Sequence, residues 1–282
     1  MKTILSFLRI ALLSFILLLA AFSQREHTWV AIGDSITYLN DHPSETGNRI
    51  TKGYMTLVQQ QVPGLHVINQ GHNGWTAGRI ADSIHNLGLV KADLYTIFLG
   101  TNDWWRGRPL GSFADYKNNS GNATVNGSFR IIINKLKALN PDAQIILITP
   151  MPRVDFVYIN NPKNNAWGSY RDKEGQHLEQ FANAIKAIGR AEGIRVVDLY
   201  HEKKLAHKNL VRFKRLKDPQ TAGAYRNYSY PDFIGVPFNP DTDEYPYPLD
   251  AVAMTYDGLH PSDKGYEVIA GKLLPLIRKS IQ

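Results

Sequence analysis

The chain contains no cysteine among its 282 residues. It therefore has neither a disulfide framework nor a thiol that could carry a lipid anchor. Charged residues make up only 20% of the chain and hydrophobic residues 43%, which is the balance of a globular protein and not of a disordered one. The stability of the folded chain must therefore come from a packed hydrophobic core.

Signatures of nucleic-acid binding are missing as well. The formal net charge is +7, but the basic residues are spread along the chain and become dense only over residues 203–217. No basic helix, zinc-finger spacing or RNA-binding signature accompanies them. We therefore expect no nucleic-acid partner. The histidines show no metal-ligand spacing, so we expect no metal site either.

One long apolar run is present, and it lies at the N-terminus. Lys2 supplies a positive start, residues 4–22 are nearly all apolar, and small residues stand near position 23. This pattern predicts a signal peptide over residues 1–23, and hence a secreted or periplasmic protein without stable membrane insertion after cleavage. The run is almost long enough to span a bilayer, so an uncleaved anchor is the alternative. Arg9 within the run favours cleavage.

The rest of the chain alternates short apolar strands with amphipathic helices. Strands are predicted over residues 29–32, 66–69, 94–99, 144–149 and 194–199, and helices over 54–62, over 174–192 and after the caps Thr76, Ser128 and Ser262. Such alternation predicts an α/β fold, a parallel sheet with helices on both faces. Neither an internal repeat nor a low-complexity linker divides residues 24–282, which we interpret as one domain with a loop-rich insertion at 200–256.

Polar or flexible residues follow the first three predicted strands. Ser35 follows the first strand, Gly71 the second and Asn102 the third. In the common strand order 2-1-3-4-5 these three strand ends are neighbours, and ligands of open parallel sheets bind at that edge. The spacing therefore predicts a hydroxyl, a backbone N–H and a carboxamide in one crevice.

These groups are the ones that acyl transfer requires. Ser35 is the candidate nucleophile, and the N–H groups of Ser35 and Gly71 with the side-chain amide of Asn102 would form an oxyanion hole. His260 is the candidate base, and Asp257, three residues earlier, would fix its tautomer. Each residue alone fits an ordinary turn or helix cap, but together they form one catalytic template.

The four segments that carry these residues resemble the SGNH (GDSL-type) hydrolase family. They are residues 33–37 (GDSIT), 69–74 (NQGHNG), 100–103 (GTND) and 257–260 (DGLH), in the family's order. Ile36 replaces the leucine of the family's usual form. The resemblance implies a three-layer, flavodoxin-like fold and ester hydrolysis without a metal or organic cofactor. The Gly-x-Ser-x-Gly elbow of α/β-hydrolases is absent, since position 37 is threonine.

Substrate contacts are expected from residues close to the four segments. The paired tryptophans after Asn102 are either a sugar-stacking platform or core packing for their loop, and both interpretations remain open. The candidates for substrate binding are Tyr38, His72, Trp104, Trp105 and Arg106, with Arg79, Arg153, Tyr245 and Tyr247 as weaker candidates at the rim.

The pattern as a whole predicts a secreted serine esterase that removes acyl groups, with acetyl as the expected group, from a carbohydrate. Export, polar aromatic loops and the lack of a long apolar lid favour an acylated glycan as the substrate. Two alternatives remain. One is a lipase, lysophospholipase or thioesterase with the same chemistry, and the other is a non-catalytic glycan-binding protein on the same fold.

Overall fold

The computed structural model describes residues 26–221 and 223–281. The predicted signal peptide at residues 1–23 lies outside these ranges. Within them, no helix has both the length and the apolar character needed to cross a membrane.

Five parallel strands form the central sheet. In chain order the strands are β1 (His27–Gly33), β2 (Leu65–Gly71), β3 (Leu94–Phe98), β4 (Gln144–Ile148), the short β5 (Phe156–Val157) and β6 (Asn165–Ala166), β7 (Arg195–Val197), β8 (Lys214–Lys217) and β9 (Tyr225–Tyr228). The sheet has the order β2-β1-β3-β4-β7, while β5 pairs with β6 and β8 with β9 in antiparallel hairpins. The five predicted strands and their order are confirmed.

Helices connect these strands. They are α1 (Ser35–Tyr38), α2 (Tyr54–Gln59), α3 (Ala77–Ser83), α4 (Thr101–Trp105), α5 (Phe113–Lys117), α6 (Val125–Leu139), α7 (Leu178–Glu192), α8 (His207–Leu210) and α9 (Asp263–Ser280). Thr76 and Ser262 cap α3 and α9 as predicted.

The two faces of the sheet bury separate cores. Along β1, Trp29 and Ala31 belong to the core formed with α2 and α9, whereas Val30 and Ile32 belong to the core formed with α3, α6 and α7. This alternation follows from the two-residue period of a strand. The predicted three-layer arrangement, with helices on both faces, is confirmed.

Some helix boundaries differ from those predicted. The N-cap of α6 is Thr124, and Ser128 lies inside the helix, where its hydroxyl donates to the Thr124 carbonyl (2.8 Å). The helix predicted from residue 174 begins at Leu178, because Glu174 has a left-handed backbone (φ 49°). Such a backbone cannot continue a right-handed helix.

Residues 200–256 pack onto the main core. Leu210, Leu216, Phe233 and Tyr247 are buried in the same cluster as the inner faces of α2 and α9. The segment therefore covers one side of the sheet, where it can reach the loop before α9.

Candidate active site

Ser35 stands at the sharp turn that ends β1. A side chain at Gly33 would place its Cβ 2.0 Å from the Thr37 hydroxyl, so the turn requires glycine. Asp34 caps α1 by accepting a hydrogen bond from the Ile36 N–H (3.0 Å). Ser35 is thus the first residue of a helix, half-buried, with its hydroxyl at the carboxyl edge of the sheet.

His260 and Asp257 reach Ser35 from the loop before α9. The Ser35 Oγ lies 2.8 Å from His260 Nε2, and His260 Nδ1 lies 2.7 Å from Asp257 Oδ2. The other oxygen, Asp257 Oδ1, accepts the N–H groups of Leu259 (3.0 Å) and His260 (2.7 Å). A fully buried carboxylate held in this way fixes the imidazole in one orientation.

This arrangement suits proton transfer from a hydroxyl. When Nδ1 donates to Asp257, Nε2 is left as the acceptor of the Ser35 hydroxyl proton. A serine within hydrogen-bond reach of a base that a third group orients is the signature of an activated nucleophile. The structure therefore brings together the three residues that the sequence placed in one template.

The segment that follows β4 and includes β5 holds this loop in place. The N–H of Val154 donates to the Gly258 carbonyl (3.0 Å), and the N–H of Val157 donates to the Asp257 carbonyl (3.1 Å). Gly258 has a left-handed backbone (φ 90°), and a Cβ there would lie 2.0 Å from the Asp155 carbonyl oxygen. Only glycine combines this backbone with so close an approach.

Asn102 lies in the same cleft, at the start of α4. Its Nδ2 donates to the Trp75 carbonyl (3.1 Å) and, over a longer distance, to Asp34 Oδ2 (3.4 Å). Burial raises the pKa of Asp34 to about 6. Through its two oxygens, Asp34 links the turn that carries Ser35 to the side chain of Asn102.

The expected role of Gly71 is wrong. Its N–H donates to Asn69 Oδ1 (2.8 Å), and a Cβ would meet the Tyr38 backbone nitrogen at 2.2 Å, so Gly71 is packed within the sheet edge. Gly74 lines the cleft beside Ser35 and Asn102 instead. Among the residues that the structure describes, the N–H of Gly74 has no hydrogen-bond acceptor.

The cleft around Ser35 has a volume of about 470 Å³. Its lining mixes hydrogen-bonding groups with apolar and aromatic side chains, and it includes two arginines and one carboxylate. The lining residues are Ser35, Leu39, Glu45, Asn73, Gly74, Asn102, Trp105, Arg106, Arg153, Phe156, Tyr158, Asn164, Ala166, Tyr256, Leu259 and His260.

Of the two tryptophans after Asn102, one is buried in the core and the other lines the cleft. Trp104 is fully buried and donates from Nε1 to the Gln176 carbonyl (2.8 Å), so its expected contact with substrate is wrong. Trp105 lines the cleft, and so does Arg106, whose Nη2 donates to the Gly74 carbonyl (2.9 Å).

Tyr38 and His72 do not line this cleft. The Tyr38 hydroxyl donates to Glu45 (2.8 Å), so Tyr38 positions a lining carboxylate instead of touching the cleft. The His72 ring stacks on Trp75 at 4.2 Å, and burial and the charge of Arg79 lower its pKa.

The weaker rim candidates divide in the same way. Arg153 lines the cleft. Arg79 lies over the Trp75 ring at 4.3 Å, and the hydroxyls of Tyr245 and Tyr247 donate to carbonyls of the segment before and within β5.

Several lining residues carried no signal in the sequence. Phe156, Tyr158, Asn164 and Ala166 belong to the β5–β6 hairpin, whose two-residue strands have no detectable periodicity. Asn73 and Gly74 lie within the 69–74 motif, but only the end of β2 at Gly71 shows that they reach the cleft. In residues 26–221 and 223–281 no cluster of three or more histidine or acidic side chains could hold a metal.

The fold and the site define an acyl hydrolase of the three-layer α/β class. The chain belongs to the GDSL-like lipase/acylhydrolase family, whose model matches residues 31–268. The expected resemblance is thus confirmed over most of the chain. A comparison with curated proteins gave no match.

Solved structures show the same fold. A possible lipase from Chitinophaga pinensis is 62% identical, with a TM-score of 0.89, over 90% of this chain and 98% of that one. The acetyl xylan esterase AlAXEase is 18% identical, with a TM-score of 0.54, over 89% and 98%. A lipase/acylhydrolase from Enterococcus faecalis is 20% identical, with a TM-score of 0.51, over 90% and 96%. The last two support the fold alone.

Proposed function

We propose that the protein is a serine esterase that removes acetyl groups from a carbohydrate. The observation that carries this proposal is the Ser35–His260–Asp257 chain, with hydrogen bonds of 2.8 and 2.7 Å, opening onto a cleft lined by both hydrogen-bonding and apolar side chains. Intact geometry of this kind favours turnover over glycan binding alone, which is the non-catalytic alternative.

In the proposed reaction Ser35 Oγ attacks the ester carbonyl carbon and His260 Nε2 takes the hydroxyl proton. The C–O bond to the sugar then breaks, and His260 returns the proton to the departing sugar oxygen. Water attacks the resulting acyl-serine by the same route, which releases acetate and restores the Ser35 hydroxyl. Asp257 stays ionised and stabilises the imidazolium that forms in each step.

The oxyanion of each step would be stabilised by the N–H groups of Ser35 and Gly74 and by Asn102 Nδ2. As the first residue of α1, Ser35 has an N–H without a helical acceptor. Gly74 replaces Gly71 in this role because its N–H is unpaired among the described residues and it lines the cleft. The oxyanion would displace Asp34 from Asn102, since that hydrogen bond is the longer of the two.

The cleft supports a small acyl group on a polar alcohol. Glu45, Asn73, Tyr158 and Asn164 offer donors and acceptors of the kind that sugar hydroxyls use, and Trp105 offers an aromatic ring beside them. A volume of about 470 Å³ is within the range of small-molecule sites.

Hydrolysis of 4-nitrophenyl acetate and of acetylated oligosaccharides tests this proposal. We expect the wild-type protein to turn over both and Ser35→Ala to lose the activity. Unchanged activity in Ser35→Ala would rule out Ser35 as the nucleophile. Glycan binding without any ester turnover would favour the non-catalytic alternative.

A lipase-type activity is the second candidate. Phe156, Ala166 and Leu259 form a small apolar cluster at the cleft, and the 62% identical protein carries the description of a possible lipase. A series of 4-nitrophenyl esters from two to twelve carbons separates the two candidates. Rates that fall with acyl length support the deacetylase, and rates that rise support the lipase.

We further propose that the protein is exported and that its signal peptide is cleaved after Ser23. The support is the charge and hydropathy pattern of residues 1–23 alone. Intact-mass measurement of the protein recovered from the periplasm or medium of a bacterial host checks this. A retained N-terminal segment would favour the anchor instead.

A further inference from the structure

Arg153 is a fully buried cation at the wall of the cleft. It is only 1% exposed, yet it lines the same cavity as Ser35 and His260. Its guanidinium lies 5.3 Å from the ring centre of Trp104 and 4.7 Å from that of Trp105. Nη2 donates to the Trp167 carbonyl (2.7 Å), and Nε is buried without a hydrogen-bond partner.

This guanidinium forms no ion pair with any carboxylate over residues 26–221 and 223–281. Asp155 and Asp257, whose charges act on it most strongly, are each held by another cation or by the imidazole. Asp155 pairs with Lys214 (2.8 Å), and Asp257 with His260 (2.7 Å). Burial lowers the pKa of Arg153 only to about 10, so the group is charged at neutral pH.

A buried, unpaired charge is costly, and the two indole rings compensate for only part of that cost. An anion that enters the cleft would supply the missing charge. It would also meet a guanidinium that has already lost its water, so that less desolvation opposes binding. The site is therefore organised for an anion before the substrate arrives.

We propose that Arg153 binds a carboxylate of the substrate, so that the scissile ester lies on an acid-bearing sugar such as a uronic acid. The proposal rests on the carbohydrate esterase function proposed above, and it names the chemical class of that substrate. Arg153 is then a specificity-determining residue, separate from the residues that perform the acyl transfer.

The other charges of the cleft favour a monoanion. Arg106 and Glu45 both line it, and their charges offset each other. Within this lining, Arg153 is thus left with a guanidinium that has no ion-pair partner, and one carboxylate can supply it. A phosphate monoester, with close to two negative charges, would leave an excess negative charge beside Glu45. Planar carboxylates also match the fork of a guanidinium.

The test compares two substrates that differ only in charge. They are an O-acetylated methyl uronoside and its methyl ester, which carries the same acetyl group but no carboxylate. We expect wild-type kcat/KM to be at least tenfold higher for the free acid, and Arg153→Met to lose most of that preference. Arg79→Met, which removes an exposed arginine that lies over the Trp75 ring and outside the lining of the cleft, is the matched control and should keep the preference.

Three results would overturn the proposal. The first is an equal kcat/KM of the wild-type protein for the two substrates. The second is a loss of kcat/KM in Arg153→Met that is the same for both substrates. The third is a higher wild-type rate on an O-acetylated sugar phosphate than on the uronoside. If Arg153→Met does not fold, the wild-type protein alone decides. An unacetylated uronoside should inhibit 4-nitrophenyl acetate hydrolysis at least tenfold more tightly than its methyl ester does.

That inhibition measurement also separates the two proposals. Hydrolysis of 4-nitrophenyl acetate that Ser35→Ala abolishes, without any preference for the acid, would leave the esterase function standing and reject only the role of Arg153. Absence of ester hydrolysis in the wild-type protein would instead reject the esterase function.

Discussion

At the scale of single residues, the site depends on Asp34, a carboxylate that takes no part in the chemistry. It lies between Ser35 and Asn102 and is fully buried. One oxygen caps α1 at 3.0 Å, and the other accepts the longer bond from Asn102. Its burial raises its pKa to about 6, so the folded protein favours its protonated form more than the unfolded chain does.

This shift predicts a pH-dependent gain in stability for Asp34→Asn. The contribution of Asp34 to the stability of the wild-type protein is fully present below pH 3.8, the pKa of this carboxyl in the unfolded chain. It is lost as the pH rises through about 6, the pKa in the folded protein. The variant stays neutral and still caps the helix. Its stability relative to wild type should therefore rise by about 3 kcal/mol between pH 4 and pH 8. Urea unfolding at a series of pH values measures this, and a difference that is constant with pH would contradict it.

Asn102→Ala tests the proposed oxyanion hole. Loss of a donor that acts only on the developing charge should lower kcat roughly 10²–10³-fold, with little change in KM. Steady-state kinetics on 4-nitrophenyl acetate give both constants. A rise in KM at constant kcat would mean that Asn102 binds the substrate rather than the transition state.

At the scale of elements, the loop before α9 depends on Gly258. In Gly258→Ala the left-handed backbone would be strained and the Cβ would collide with the Asp155 carbonyl. Gly235→Ala is the matched control, because Gly235 has nearly the same backbone (φ 87°) and open space around it. We expect a cost of about 1 kcal/mol for the control and at least about 3 kcal/mol for Gly258→Ala.

Activity should fall along with this stability. A shift of about 1 Å at His260 is enough for a roughly 10²-fold loss in kcat, whereas Gly235→Ala should leave kcat near the wild-type value. Thermal unfolding and ester hydrolysis measure the two effects. Equal losses of stability in the two variants would show that the contact with Asp155 is unimportant.

The elements that the sequence predicted well are those with periodic apolar patterns. The buried strands and the residues directly after them placed Ser35 and Asn102 in one cleft, and the loop before the last predicted helix supplied His260. The predicted oxyanion role of Gly71 was wrong because β2 extends to residue 71, which pairs with Gly33. The Gly71 N–H donates to the side chain of Asn69. The cleft begins only after the strand ends, which brings Gly74 to it. The β5–β6 hairpin stayed undetected because two-residue strands have no period to read.

At the scale of the whole molecule, an ion pair joins residues 200–256 to Asp155, in the segment that supports the catalytic loop. Lys214 in β8 is 3% exposed and donates to Asp155 Oδ2 (2.8 Å). Asp155 also accepts from the Gly168 N–H (2.9 Å) and from the Tyr170 hydroxyl. The backbone on either side of it bonds to Gly258 and Asp257. The segment that the sequence left without a role therefore stabilises the loop that carries His260.

Lys214→Met should break this connection. Removal of Lys214, whose ammonium is buried, leaves the partly buried Asp155 carboxylate without its ion-pair partner, and breaking such a pair costs up to about 3–5 kcal/mol. Lys272→Met is the matched control, because Lys272 also pairs with this segment, through Glu202, but is half exposed. Loss of such a surface pair costs less than about 1 kcal/mol. Denaturant unfolding compares the two variants, and kcat should fall in Lys214→Met while Lys272→Met keeps it. If both variants unfold like the wild type and retain its kcat, residues 200–256 cover the sheet without supporting the active site.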